Sequence, residues 1–413
     1  MGINSNQIIL FHDKKDCCGC GACMNICQIG AIIMKEDEYG FQYPLIEHEK
    51  CVRCGMCKNV CAYQNKSEAN KVVSTWVAAA KDDEIIKKSA SGGIFAAIAL
   101  EVIKKENGVV FGCAFEKVEG KLVPKHIKVT KVEDLVKLQG SKYVQSIIGD
   151  TYNEVKQELM SGKFVLFSGT PCQVAALRSF LGKEYEKLLM IDIICHGVPS
   201  VKLFQDYVKL LGKKLKGTII DFKFRDKSKG WGYKVKVEYF DSRSKAKFKF
   251  FPPALSSYFM MFLKSEIIRE NCYSCRYACE QRVGDLTIGD YWGIKKEHPE
   301  YLRDGGGTFD ERKGISCILV NTMTGKKTLS GMGYGIQLQP STFQKAAAMN
   351  GQLKEPSPKS NVREKILSMY AADGYVAVEK WYNKRLGIKK YAYILWNIIP
   401  MAGQEMVKKF LKR

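Results

Sequence analysis

Eight cysteines near the N-terminus fall into two copies of one spacing. Cys17, Cys20, Cys23 and Cys27 form C-x2-C-x2-C-x3-C, and Cys51, Cys54, Cys57 and Cys61 repeat it 34 residues later. In this spacing three neighbouring thiolates grip one part of a 4Fe-4S cube, and the fourth ligand comes from the other run. Cys61 is therefore expected to complete the set Cys17, Cys20, Cys23, and Cys27 the set Cys51, Cys54, Cys57. Exchanging fourth ligands brings two centres close together, which suits one-electron relay.

Disulfides and structural zinc are the competing uses. Residues 1–11 carry no basic n-region of a secretory leader, so a reducing, cytoplasmic setting is expected and disulfides are disfavoured. Zinc sites pair cysteines across longer loops, whereas here four cysteines fall within eleven residues, twice. The spacing is that of a two-cluster bacterial ferredoxin, and residues 1–66 resemble that module. One position departs from it: Gln28 and Ala62 stand where ferredoxins place proline after the fourth cysteine. Cys18 is out of register, either a packed thiol or a substitute ligand.

The charge is strongly basic, with 65 Lys and Arg against 43 Asp and Glu, or +22. Three clusters at about −2 each would lower this to roughly +16. A solvated lysine surface accounts for much of it, and an acidic partner or phosphate-bearing cofactor is the other use. Nucleic acid is not expected. Only 12 of the basic residues are Arg, the residue suited to bidentate phosphate and base contacts, and no nucleic-acid-binding motif is visible. No transmembrane helix is expected. Tyr391 to Gly403 is short and broken by Asn397 and Pro400. Its basic, aromatic surroundings leave either a helix packed on the domain or peripheral contact with an anionic membrane.

After a polar linker, Asn65 to Lys71, strands alternate with helices. Strands are expected at Val72–Ala80, Val109–Phe115, Phe164–Phe167 and Leu188–Ile194. Helices are expected at Gly92–Lys105, Asp150–Met160, Pro171–Leu181 and Leu203–Leu211, the pattern of an α/β domain. From Thr218 the alternation of Ile219–Phe224, Tyr233–Tyr239 and Lys247–Phe251 predicts a small antiparallel sheet. A short helix follows at Ser256–Leu263, then strand character at Thr287–Gly289 and Ile315–Asn321. The tail beyond Pro358 is expected to be mostly helical. The expected fold is thus multidomain, α+β and α/β. A ferredoxin-like module at 1–66 precedes α/β residues 72–216, a second unit at 217–345 carrying the antiparallel insert, and a helical basic tail at 346–413.

Seven cysteines lie outside the first module. Cys113 and Cys317 sit in apolar strands and read as core residues. Cys272, Cys275 and Cys279 form C-x2-C-x3-C, Cys172 follows Pro171 at a strand-to-helix turn, and Cys195 ends a strand before His196-Gly197. In an open α/β sheet, sites form at the carboxyl edge of the strands, so four of these thiolates could hold a third cluster.

These motifs, in order, resemble the beta subunit of coenzyme F420-reducing hydrogenase and its relatives, archaeal formate dehydrogenase beta subunits and plant 7-hydroxymethyl chlorophyll a reductase. The matching segments are Ser91-Gly92-Gly93, Gly140-Ser141-Lys142-Tyr143, Gly169-Thr170-Pro171-Cys172-Gln173, Cys195-His196-Gly197, Cys272-x-x-Cys275, Gly289-Asp290-Tyr291-Trp292 and Gly314-Ile315-Ser316. The resemblance implies an FAD-binding α/β domain with a 4Fe-4S cluster beside the flavin. By position, Cys172, Cys195, Cys272 and Cys275 match the ligands of that cluster, leaving Cys279 surplus. Ser91, Gly92, Gly93, Gly140, Ser141, Lys142, Tyr143, Thr170, Gln173 and Asp290 match the cofactor-binding segments. Paired glycines before a helix let backbone N–H groups approach a pyrophosphate. Lys142 could neutralise phosphate or a reduced flavin, and Tyr143 could stack. No Rossmann G-x-G-x-x-G follows a strand.

Clusters pass single electrons, whereas a flavin takes them singly and releases two as hydride. The expectation is an oxidoreductase between a ferredoxin-like donor and a two-electron organic substrate such as a deazaflavin, with His196 as a candidate proton donor or a structural histidine. Two other classes stay open. One is an electron-transfer subunit docked on a hydrogenase, dehydrogenase or polysaccharide-biosynthesis partner. The other is a sensing protein with structural clusters.

Overall fold

The computed structural model describes residues 8–65, 69–228, 230–332 and 335–398. In chain order the strands are β1 (Ile32–Glu36), β2 (Gln42–Ile46), β3 (Ser74–Ala80), β4 (Val109–Val118), β5 (Lys121–Val129), β6 (Val165–Gly169), β7 (Leu188–Ile193), β8 (Gly217–Lys223), β9 (Val235–Asp241), β10 (Ala246–Phe251), β11 (Leu286–Asp290), β12 (Ser316–Val320) and β13 (Ile336–Ser341).

The N-terminal residues form an antiparallel pair, β1 with β2, and two short helices, Ala22–Asn25 and Met56–Asn59. The cysteine repeat is also a backbone repeat. Gly21 and Gly55, 34 residues apart, precede the two helices at φ 76° and 78°. That left-handed conformation costs a side chain free energy and glycine almost none.

This module is fused to the body. Cys18, Cys20, Ala22, Val60, Ala62 and Tyr63 belong to the same buried cluster as Val109, Phe167, Val174 and Tyr277. Hydrogen bonds cross the seam from Gln145 Nε2 to Cys18 O (3.0 Å), Asn25 Nδ2 to Gly149 O (2.8 Å) and Tyr277 OH to Ala62 O (3.0 Å).

The body is built on one eight-stranded mixed sheet in the order β13-β3-β12-β11-β7-β6-β4-β5. Its centre, β4 to β6 to β7 to β11, is parallel, and antiparallel strands flank it on both sides. The central strands are largely apolar, as strands covered on both faces are, with Asp192 and Thr287 the buried polar exceptions. Val165, Leu166, Phe167, Leu189 and Ile191 have no exposed surface. Helices Ile94–Glu106 and Pro171–Leu181 supply buried side chains to opposite layers of this core. The sheet runs through the expected division at residue 216, because β11, β12 and β13 share ladders with β7 and β3. The antiparallel insert forms a separate three-stranded sheet, β10-β9-β8.

Most predicted elements are present within a few residues. Four strands were not expected: β1 and β2 within the cysteine module, β5, whose alternation is interrupted by Pro124, and β13, which is polar. Beyond Pro358 the chain is helical, Arg363–Leu386 with a break at Gly374 and then Lys389–Ile398. Among the described residues no helix is long and apolar enough to cross a membrane. The part of the expected amphipathic tail beyond residue 398 lies outside the described residues.

Candidate redox site

Each parallel strand delivers its site residues at its carboxyl end. β6 leads through Thr170 into the helix Pro171–Leu181, and Gln173 Oε1 accepts the Thr170 N–H at 3.1 Å, which fixes the turn carrying Cys172. Thr170 Oγ1 lies 3.1 Å from Cys172 Sγ. β7 ends just before Cys195, and a 3-10 turn, Glu270–Ser274, presents Cys272 next to Cys275. These four cysteines, from three places in the chain, line one cavity of about 40 Å³ together with Cys18, His196 and Asn271. Cys279 is not part of its wall; its thiol donates to the carbonyls of Arg276 and Gln281 at 3.4 Å.

A smaller cavity of about 30 Å³ is lined by Cys17, Cys20, Cys23 and Cys61, with Cys18 and Cys57. Cys61 thus lines one cavity with the first run, and Cys57 of its own run reaches the same wall. Cys27, Cys51 and Cys57 pack with Ile32 and Ile46, a cluster that Cys23 also touches, and Cys54 is exposed. Among the described residues no three or more His, Cys, Asp or Glu side chains could hold a single metal ion. A 4Fe-4S cube needs thiolates spread around a cavity rather than focused on one point.

Burial raises the thiols of Cys17 and Cys275 to about 11 and Cys272 to about 12, and holds Cys195 well above the ordinary thiol range. A bare thiolate is disfavoured in such surroundings, while a bound cation reverses the balance and keeps the sulfur deprotonated. The donor set and its burial therefore fit iron–sulfur ligation. Cys18 lies between two of the sets: its thiol is held up by hydrogen bonding to Cys172 and Cys20, and Cys172 is correspondingly lowered to about 7.

Against the four-cysteine cavity lies a much larger one of about 570 Å³, and Ser146, Thr170, Gln173, Cys195 and His196 belong to both walls. Its volume is that of a ligand or cofactor site. Of the predicted cofactor residues, Ser91, Gly93, Gly140, Ser141, Lys142, Tyr143, Thr170, Gln173 and Asp290 line it. Gly92 does not; it packs against β3 and β12, where an added Cβ would come within 2.6 Å of Ala78 O. Lys142 Nζ donates to Lys137 O and Gln139 O at 2.9 and 2.8 Å, and burial lowers it to about 8. Tyr143 stacks on Phe262 and Phe259, with ring centroids 4.7 and 5.3 Å away. The Asp290 carboxylate is occupied: it takes both terminal nitrogens of buried Arg225 and the Trp231 indole N–H. His196 is packed between the cavities, with Nε2 3.1 Å from Phe262 O and 3.0 Å from Ser265 Oγ, and burial lowers its pKa.

Several participants were not anticipated. Arg225 sits over the rings of Tyr233 and Trp292 at 4.7 and 5.2 Å, and those two rings form part of the cavity wall. Cys113, expected as core, lines the same cavity and pairs in register with His126 of β5. His126 is buried, gives its Nε2 hydrogen to Ser168 O at 3.0 Å, and leaves Nδ1 with no partner. Burial lowers it to about 4, so Nδ1 offers a lone pair. An orphaned buried acceptor in the wall of a cavity this size fits a ligand bearing an N–H, such as the imide edge of a flavin ring. Trp292 closes the Gly289-Asp290-Tyr291-Trp292 segment, but Arg225, Tyr233, Cys113 and His126 carry no local sequence signal for the cavity, because each acts through partners far away in the chain.

Residues 16–65 match a 4Fe-4S dicluster domain. Residues 162–343 match the family described as the C terminus of the coenzyme F420 hydrogenase/dehydrogenase beta subunit. Among solved structures, a chain of the F420-reducing NiFe hydrogenase complex from Methanosarcina barkeri is 17% identical, over 78% of this chain and 95% of that one, with a TM-score of 0.41. The chain thus carries a 4Fe-4S dicluster match at residues 16–65 and, over residues 162–343, similarity to the C terminus of the coenzyme F420 hydrogenase/dehydrogenase beta subunit.

Proposed function

We propose that this chain is an iron–sulfur flavoprotein that carries electrons between a one-electron donor protein and a two-electron organic substrate. One observation carries the reading: four cysteines remote in sequence line one cavity, and that cavity shares a wall with a second of about 570 Å³ lined by the glycine motifs. Cys172, Cys195, Cys272 and Cys275 would hold a third 4Fe-4S cluster, and the larger cavity would hold FAD. Bound there, the clusters would supply single-electron storage and the flavin its exchange of two electrons as hydride.

The protein's own residues do the rest. Exposed Cys54 puts the Cys51 set nearest the solvent, the Cys17 set lies behind it, and Cys18 bridges from Cys20 to Cys172. That order favours an external donor, such as a ferredoxin, meeting the outer set. Tyr143, Phe262, Tyr233 and Trp292 give the cavity an aromatic wall against which a planar ring would pack, with Phe259 stacked on Tyr143. His126 Nδ1 would accept a hydrogen bond from the bound ring. His196, with Nε2 held by Phe262 O, keeps its ring fixed between the two sites. The family description names a deazaflavin coenzyme, and a planar heterocycle of that kind is the substrate class proposed here.

The test is anaerobic purification with iron, sulfide and flavin quantified together. About twelve iron atoms and one FAD per chain are expected. About eight iron atoms and no flavin after reconstitution would leave an electron-transfer subunit without its own substrate. The exposed Cys54 thiol supports that second reading equally, and co-purification with a dehydrogenase or hydrogenase subunit would distinguish it.

A further inference from the structure

Arg269 is completely buried, with 0% of its surface exposed. Burying a guanidinium without an anion is strongly unfavourable. Among the described residues no carboxylate forms an ion pair with it. Its partners are a carbonyl, an amide and a sulfur: Nε donates to Cys17 O at 3.0 Å, Nη1 to Gln145 Oε1 at 3.3 Å, and Nη2 faces Cys17 Sγ at 3.9 Å. The flat face lies over the Tyr43 ring, 4.0 Å from its centroid. Gly19 makes room for it: an added Cβ there would meet Nη1 at 2.9 Å. It acts electrostatically on Cys17, Tyr43, Cys18 and Cys272, and its own carbonyl accepts the Cys272 N–H at 3.0 Å, which ties it to the interior cysteines as well as to the N-terminal ones.

We infer that Arg269 is a fixed counter-charge between the inner N-terminal cluster and the third cluster, and that it raises the reduction potential of both. A cluster with four thiolates is anionic and becomes more so on reduction. A cation held beside it in a desolvated seam favours the reduced form. The cluster is in turn the anion that the guanidinium otherwise lacks. The outer set, Cys27, Cys51, Cys54 and Cys57, has no part in this contact, so its potential is set independently. A buried cation at this joint makes transfer into the interior downhill from the outer centre. Arg269 is a positioning and tuning residue; it ligates nothing. For the inner cluster the inference rests on the dicluster domain, and for the third cluster on the function proposed above.

The test is an EPR-monitored redox titration of the full chain, comparing wild type with Arg269→Met and Arg269→Lys. The signal weakened in Cys54→Ser identifies the outer centre. In Arg269→Met, the inner and third centres are expected to move to more negative potentials while the outer one stays fixed. Arg269→Lys is expected to restore most of the shift, which loss of packing alone would not explain. Unchanged potentials in Arg269→Met would overturn the inference, as would equal shifts of all three centres or no recovery in Arg269→Lys. If iron content shows only two clusters, the inner centre still decides the role of Arg269, and it is the third-cluster reading that fails.

Discussion

The two cysteine regions solve the same ligation problem in opposite ways. The N-terminal module takes its thiolates from two tight runs, each turned by two left-handed residues, Gly19 and Gly21 in the first and Arg53 and Gly55 in the second. The interior site takes its four from turns that only a complete sheet brings together. The module has little apolar packing of its own around the outer set, chiefly Ile32, Ile46 and Cys57. A two-stranded sheet of that size is not stable alone, so its structure depends on metal and on the seam. The interior site stands on a sheet whose central residues Val165, Leu166, Phe167, Leu189 and Ile191 are fully buried. The comparison predicts a fold that leans on iron in the module and on apolar packing in the body.

The largest expected effect tests that separation directly. Stripping iron with a chelator should melt the module while leaving the body folded. In hydrogen exchange, amides of β1 and β2 should lose protection and those of β6 and β7 should keep it; a module that stays protected would break the contrast. Cys275→Ser should remove about four of about twelve irons and leave the N-terminal clusters in place. Loss of all iron would mean that the two regions load together.

Next in size is the scaffold beneath the interior cysteines. Arg282 and Asp192 form an ion pair at 2.7 Å with side chains 1% and 0% exposed, and Asp192 also accepts the Gly284 N–H. Removing one partner strands a buried charge, so Arg282→Met should cost about 3–5 kcal/mol. Chemical denaturation should show this in the body transition and not in the module.

A smaller, pH-dependent effect belongs to His126. Its folded pKa is lowered to about 4 by burial, against an ordinary value near 6.5. Above about pH 6.5 both states are neutral and nothing is lost. As the pH falls from there toward 4 the unfolded chain binds a proton that the folded one refuses. Stability therefore drops, by about 3 kcal/mol at the acid end. His126→Phe should flatten that slope, and an unchanged slope would remove His126 as its source. The smallest effect returns to the module. Gly55 has φ 78° and nothing within 4 Å of an added Cβ, so Gly55→Ala should cost only about 1 kcal/mol, from backbone strain alone. Thermal melts of the iron-loaded protein would show it.

Legibility follows the same division. In the module, local spacing determines the ligand grouping, so the pairing of Cys61 with the first run can be read directly from sequence. In the body, the strand–helix alternation is visible because each element carries its own period. What cannot be read is long-range. β5 escapes the pattern because Pro124 interrupts its alternation, and His126 goes with it. Trp292 lies in a motif that the sequence shows, but Arg225 and Tyr233, which meet it at the cavity, lie outside any short pattern. Arg269 stands three residues before Cys272, but only the folded seam shows that it has no carboxylate. Cys113 reads as core because an apolar strand looks the same whether its end meets packing or a cavity. The division expected at residue 216 follows a change in period, whereas the sheet is set by partners on both sides of it.

The seam between module and body is stitched largely through main-chain carbonyls, those of Cys17, Cys18, Ala62 and Gly149. Such bonds hold their length whatever the salt concentration, since neither end is a free ion in solvent. Passage of charge inside the chain should then be indifferent to ionic strength, while delivery by an acidic carrier to a lysine-rich exterior should slow steeply as salt is added. Salt would thus act as a dial on the outer step alone, and the covalent wiring would make the inner steps keep their own time.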